Sequence, residues 1–396
     1  MAWRMRLPFS GGKERRALAS AGAEVKAGLP AGLSALGGGA VAAWSGRSYA
    51  ALSREGFMRN PVAHRAVRMI AETAAATPFL LYDDARELDA HPFLDLIARP
   101  DGQHSGAEFF EAVYGHLILA GNAFIEAIPA GGGLAGLQLL RPDRVRVVEG
   151  PDGWAVAHDY QAGAARRRFA IDPVAGRGLL HLRLFHPLDD HAGFAPLAAA
   201  QMALDLHNQA TTWNKALLDN SARPSGALVY QPKDGGNLSD DQYRRLKEEL
   251  EEGYQGARRA GRPMLLEGGL DWKTLALSPR DMDFIEARHA AARDIALAFG
   301  VPPMLLGIPG DNTYSNLAEA NRAFWRQTIV PLVRRVADDL SNWLSPAFGG
   351  TTLAPDFDDV EALAEDRAAL WARVGAAEFL SDAEKREMVG IEAEGR

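Results

Sequence analysis

The chain has 396 residues, 47% hydrophobic and 24% charged, enough for two or three domains with ordinary cores. It contains no cysteine, which excludes disulfides, thiolate catalysis and cysteine-based zinc sites and suits a reducing compartment. A net charge of −8 and a mean hydropathy of −0.16 argue against a protein that grips DNA by its phosphates, and no apolar run is long enough to span a bilayer.

Residues 1–48 are rich in glycine and alanine and read as a flexible arm. The basic start, Met1 to Arg16, lacks the apolar segment of a secretory signal. Order begins at Asn60-Pro61, a cap and first helical residue, and the spacing Val62, Val67, Ile70, Ala74 predicts a helix ended by Pro78. Phe79–Tyr82 reads as a strand. A capping box at Ser105 and Glu108 opens a second helix with Phe109, Val113, Leu117 and Ala120 on its inner face, stopped by Gly121-Asn122. Alternating segments at Phe124–Ile128, Leu137–Leu140, Val145–Val148, Ala155–Tyr160 and Leu179–Phe185, separated by turn residues, predict a mostly antiparallel meander.

Farther along, Pro196 to about Asn220 predicts one long helix. A strand at Ala227–Tyr230, a short helix opened by Ser239 with Gln242, a strand at Pro263–Leu266 and another beginning at Trp272 form a small insert. A second long helix starts at Ser278-Pro279 with Asp281 in its first turn and stops at Gly300. A Gly/Pro loop, Leu306 to Ser315, precedes a third long helix from about Asn316 to Leu344, in which Pro331 predicts a kink near Gln327. A short helix beginning at Ser381 closes the chain. The fold class is α+β.

Enzyme motifs are missing. Gly11-Gly12-Lys13 is followed by Glu14 and lacks the rest of a phosphate-binding loop, and neither a G-x-S-x-G elbow nor an H-E-x-x-H pair is present. His181, His186 and His191, near Asp189 and Asp190, are metal-capable residues, but their spacing puts them on no common helix face. Glu286-x-x-His289 is a single copy of a motif that di-iron bundles use twice. We expect no metal and no cofactor. The arginine groups Arg166-Arg167-Arg168, Arg258-Arg259 with Arg262, and Arg334-Arg335 read as solvated faces.

Four stretches, in their order and spacing, carry a likeness to a known family. They are Asn60-Pro61-Val62 through Pro78-Phe79-Leu80-Leu81-Tyr82; Glu108-Phe109-Phe110 through Ala120-Gly121-Asn122-Ala123; Leu238-Ser239 through Gly268-Gly269-Leu270-Asp271-Trp272; and Ala296-Leu297-Ala298-Phe299-Gly300-Val301-Pro302-Pro303 through Thr313-Tyr314-Ser315-Asn316. Leu380 to Arg386 adds a weaker piece. Over about Asn60 to Leu344 the chain resembles the phage portal family of the HK97 type, from a tailed phage or a gene transfer agent.

The resemblance implies a portal fold: an α/β wing (49–195), a stem of two helices (196–222 and 279–300), a small α/β clip (223–278), a tunnel-loop region (301–316), a long kinked helix (317–345) and a short helical crown (346–396). It implies a head–tail connector ring, usually of twelve subunits, at one capsid vertex, and a virion protein assembled in the bacterial cytoplasm. Double-stranded DNA would pass through it without sequence specificity. Expected partners are further copies of the chain, the major capsid protein, the large terminase and a head–tail adaptor, with no membrane. Ile308, Pro309, Gly310, Asp311, Asn312, Thr313, Tyr314 and Ser315 would form the tunnel loop, and Asp281, Asp283 and Glu286 would line the channel. Lys233, Asp234, Arg258 and Arg259 would dock partners at the clip. An acidic lining suits DNA that must slide, because each phosphate neutralised adds affinity. A non-ring virion or adaptor protein and a metal-dependent enzyme are the alternative readings.

Overall fold

The structure is a computed structural model that describes residues 48–84, 86–131, 133–171, 178–219, 226–230, 270–274, 284–310 and 314–390, with isolated positions between 239 and 248. Several expected features lie outside the described residues: most of the N-terminal arm, the strand Pro263–Leu266, the start at Ser278-Pro279, and the site residues Lys233, Asp234, Arg258, Arg259, Asp281, Asp283, Asp311, Asn312 and Thr313.

A short helix, α1 (Tyr49–Leu52), runs through a π turn (Ser53–Met58) toward α2 (Pro61–Ala75). Asn60 caps α2, its side chain accepting from the backbone N–H of Val62 and Ala63. Buried residues recur at helical spacing along α2 (Ala63, Ala66, Val67, Ile70, Ala71, Ala74), and the small ones let α2 lie close against α4 (Gly106–Ala120). The short α3 (Pro92–Ala98) buries Phe93 beside them. The expected capping box at Ser105 and Glu108 is present.

The sharp exit from α4 needs glycine. Gly121 has φ +72, and a Cβ there would lie 2.5 Å from the Gly193 carbonyl oxygen. A Cβ on Gly193 would meet the Gly121 carbonyl at 1.9 Å. Two backbones cross here, and the Leu184 N–H donates to the Gly121 carbonyl at 2.8 Å.

All strand pairs among the described residues are antiparallel. The sheet order is β4-β3-β8 for β3 (Asn122–Ala130), β4 (Gly133–Leu140) and β8 (Leu179–Arg183), and β5-β6-β7 for β5 (Val145–Glu149), β6 (Ala155–Ala162) and β7 (Ala165–Ala170). A third sheet, in the order β11-β1-β2, joins β1 (Phe79–Asp83) to β2 (Arg86–Glu87) and to β11 (Thr352–Pro355). In the insert, β9 (Gly226–Tyr230) pairs with β10 (Leu270–Thr274), and Ser239 and Gln242 exchange the two expected capping bonds.

Two expectations need correction, and one needs an addition. The single helix from Pro196 is two, α5 (Pro196–Ala199) and α6 (Gln201–Asp219), because Ala200 takes ψ −1 and closes the first turn before the second begins. Leu179–Phe185 stops pairing at Arg183, opposite Asn122, and Phe185 is exposed. The arginine run 166–168 is exposed, as a solvated face should be, but it is also a paired strand, β7, which the sequence reading did not include because three consecutive arginines hide its alternation.

The helix α7 (Phe284–Ala298) ends at Gly300 as expected. Gly300 has φ +66, the Val301 N–H reaches the Ala296 carbonyl, and the Gly300 N–H reaches that of Leu297. The third long helix is α8 (Tyr314–Phe324), a π turn (Trp325–Ile329) and α9 (Val330–Leu344). Pro331 has no N–H for the Gln327 carbonyl, and the π turn falls on that missing bond. α9 buries Val333, Val336, Ala337, Leu340 and Leu344 against the body, each large side chain contributing about 2 kcal/mol. Helices α10 (Ala364–Gly375) and α11 (Asp382–Met388) follow, α11 opening with a capping box at Ser381 and Glu384.

Candidate functional site

The helices α6 and α7 pack against each other, and α7 also touches α2. The seam with the body is polar. Asn60 is fully buried, and its Nδ2 donates to His207 Nδ1 at 3.1 Å and to Asn208 Oδ1 at 3.0 Å. Asn208 Nδ2 donates in turn to the Glu55 carbonyl at 2.9 Å. Burial, then the charges of Arg288 and His289, hold His207 below the usual histidine pKa. A neutral ring can accept from Asn60, so the bond and the titration agree. One residue thus caps α2 and fastens α6. Sequence reasoning identifies Asn60 as a cap and misses its partners, because polar side chains inside a helix carry no periodic signal.

Beyond Gly300, a 3-10 turn (Pro303–Leu306) leads into Gly307, at φ +71. Ile308 then turns inward, 5% exposed, onto Ala292 and Ala296 of α7. Arg293 Nη2 donates to the Pro309 carbonyl at 2.6 Å. Of the stretch Ile308 to Ser315, both ends are therefore fixed to helices. Ile308 is an anchor because its side chain fills the space over two alanines, and Tyr314 and Ser315 belong to the first turn of α8. Pro309 and Gly310 are exposed. Thr328, in the π turn, donates to the Gly300 carbonyl at 2.6 Å and ties the end of α7 to the helix that contains Pro331.

Glu286 is exposed on α7. The helix also carries Arg288, Arg293 and Asp294, so its described part is balanced in charge. The histidines considered for a metal are engaged separately. His181 donates from Nε2 to Asn122 Oδ1 at 2.9 Å, His191 donates from Nε2 to the Gly153 carbonyl at 3.0 Å, and His186 Nδ1 accepts from the Leu188 N–H. Burial pushes the His181 pKa down to about 3. Among the described residues no group of three or more His, Cys, Asp or Glu is arranged to hold a metal.

A ring nitrogen fastens two helices, Ile308 and Arg293 fasten the chain after Gly307 to α7, and a π turn relieves the helix that carries Pro331. Residues 61–390 match the family model described as phage portal protein. The chain is 40% identical over 348 residues to an uncharacterized protein of Rickettsia bellii (strain RML369-C), covering 85% of this chain and 88% of that one. It is 51% identical, with a TM-score of 0.68, to a chain in the neck of a native GTA particle computed with C12 symmetry, covering 88% of this chain and 95% of that one. A crystal structure of an HK97 family phage portal protein from Corynebacterium diphtheriae shares the fold, at 18% identity and a TM-score of 0.53, over 79% of this chain and 96% of that one. The chain belongs to the phage portal protein family. Its function is that of a portal protein of a phage or gene transfer agent particle, and the adaptor and metal-enzyme readings give way to it.

Proposed function

We propose that the chain is one subunit of a closed ring of twelve at a capsid vertex, and that double-stranded DNA enters and leaves through the channel without sequence readout. The likeness to a neck chain of C12 symmetry over nearly its whole length carries this reading. Surface chemistry supports it. On α6, Met202, Leu206 and Trp213 fall within one narrow arc and are 70%, 48% and 44% exposed. On α7, Ile285 and Leu297 are exposed as well. Apolar helix faces left open in one subunit are suited to burial against neighbouring copies.

In this reading α5, α6 and α7 are the stem, residues 223–278 the clip, and the body from Tyr49 with α8 and α9 the wing. The short stretch from Pro309 to Thr313 is the part of the tunnel loop that reaches DNA. Asp281, Asp283 and Glu286 face the channel, and the large terminase and later the head–tail adaptor meet Lys233, Asp234, Arg258 and Arg259. The major capsid protein contacts the wing. The ring performs no catalysis, and the driving force comes from a separate ATPase. It assembles in the bacterial cytoplasm.

Negative-stain images of the protein in its particles test the reading. Rings with a central hole and twelvefold symmetry are the expected outcome. A chain that remains monomeric while its own prohead is present sinks it.

A further inference from the structure

The sheet β5-β6-β7 has two unlike faces. Residues alternate along each strand, so Val147, His158 and Phe169 share one row and Arg146, Asp159 and Arg168 the opposite one. On the first face Arg167, itself exposed, makes a two-pronged pair with the buried Glu126 at 2.6 Å beside the rings of Tyr160 and Phe169. The other face is exposed and basic, with Arg146, Arg166 and Arg168, and Arg144 of the 3-10 turn before β5 lies beside them. Asp159 takes Arg168, and Asp143 takes Arg141. Arg144, Arg146 and Arg166 are left without an ion-pair partner among the described residues. The chain around them is net acidic, with a charge of −8.

A complementary surface lies on the turn after β11. From Asp356 to Asp366 there are acids and no base. Arg367 holds the turn through the Phe357 and Val360 carbonyls, at 2.8 and 3.2 Å, and the Arg334 guanidinium lies 5.7 Å from the Phe357 ring centre. Arg322 and Arg326 take Glu365 and Asp366. Asp358, Asp359 and Glu361 are exposed on this braced turn with no ion-pair partner among the described residues.

We propose that the arginine face of the β5-β6-β7 sheet docks the acidic turn Asp358–Glu361 of a neighbouring copy of this chain. The inference rests on the ring reading and names one of its contacts. A cyclic ring is built head to tail, so each subunit brings two different surfaces that must fit each other. Guanidinium forks suit carboxylates, and complementary charge fixes which surfaces meet. Asp159 is neutralised by Arg168, which leaves the charge of this face to Arg144, Arg146 and Arg166, three guanidinium groups matched in number by the carboxylates of Asp358, Asp359 and Glu361.

Charge reversal in the full chain tests it. One variant carries Arg144→Glu, Arg146→Glu and Arg166→Glu, a second Asp358→Arg, Asp359→Arg and Glu361→Arg, and a third all six. Sedimentation velocity reads the ring fraction, and circular dichroism verifies folding. At about 0.1 M salt, where the screening length is about 10 Å, each triple should lower the ring fraction about tenfold, and the sixfold variant should recover most of it. Rings that form equally in all variants overturn the contact, as does a folded sixfold variant that assembles no better than the triples. Intact rings that lose only DNA would assign the arginines to nucleic acid and also overturn it. Because the chain has no cysteine, Arg166→Cys with Asp359→Cys should give a ladder of subunit multiples with a bis-maleimide, in rings or in particles. Rings without a ladder count against the contact alone. A wild-type chain that forms no ring, by itself or in its particle, overturns the ring reading underneath.

Discussion

The body and the α6–α7 helix pair obey the same rule in opposite ways. In the body, Ile70, Tyr114, Leu117, Ile125, Val333 and Leu340 are all buried inside one chain. On α6, Leu204 and Ala210 are buried while Met202 and Leu206 point outward. Apolar burial therefore stabilises the body within a single subunit, whereas the helix pair keeps part of its apolar surface for another molecule. The polar knot at Asn60 joins the two regions. Perturbations that separate them should act on stability in one region and on assembly in the other.

Acid should act most strongly, and on the body. Burial holds the His116 pKa down to about 4 and that of His181 down to about 3, and it lowers His158 as well. In the unfolded chain these rings take up protons from about pH 6.5. Between that value and their folded pKa the unfolded state binds more protons, so stability falls as the pH drops. From pH 7 to pH 5 the first two histidines together should cost about 4 kcal/mol. Urea titration at both pH values measures this. Hydrogen exchange should show α4, β3 and β8 losing protection, and a loss confined to α6 and α7 would break the comparison.

Asn60→Ala comes next, at about 3 kcal/mol. About 1 of this is the lost cap of α2, and about 2 is the stranding of His207 and Asn208 in a buried site. Asn60→Asp keeps the capping oxygen and loses the amide donor, so it should cost only the second part. Equal costs for the two variants would mean that the cap adds nothing to the knot, and an Asn60→Asp variant as stable as the parent would mean that the knot adds nothing to the cap.

Local chemistry was readable from the sequence where one residue type has one use. Asn60-Pro61, Ser105 with Glu108, Ser381, and Gly300 each marked a helix end that the structure contains. Pairing over long distance was not readable. β11 completes the sheet of β1 from more than 250 residues away, and the four residues Thr352–Pro355 show no alternation that announces it. β7 was hidden by three arginines in a row, of which Arg167 and Arg168 reach carboxylates on other strands. Ile308 was read with its glycine and proline neighbours as loop, and it is in one, but its burial onto two alanines of α7 carried no signal in the sequence. Each of these contacts joins separate elements, and no local pattern announces it.

A smaller effect tests the link between α7 and the kinked helix. Gly300→Ala places a Cβ in the left-handed region and 2.8 Å from Thr328 Oγ1, and should cost about 1.5 kcal/mol. Gly300→Asn, whose side chain tolerates that conformation better, should cost less if backbone strain dominates. If the two cost the same, crowding at Thr328 outweighs the backbone strain. Urea midpoints of the two variants decide it.

Leu206→Ser should have the least effect on the folded subunit, under about 0.5 kcal/mol, because the side chain is already 48% in water. Its effect on ring formation should be far larger. A leucine that contributes nothing inside its own chain can still exclude water from a contact between chains, and the same site recurs at every interface of a symmetric ring. Leu204→Ser, one half-turn away and buried, should show the reverse pattern, destabilising the subunit before assembly is reached. If the two serine variants lower stability and ring fraction in the same proportion, the open face of α6 is only surface, and the division between a self-sufficient body and a partner-completed helix pair fails at its sharpest point.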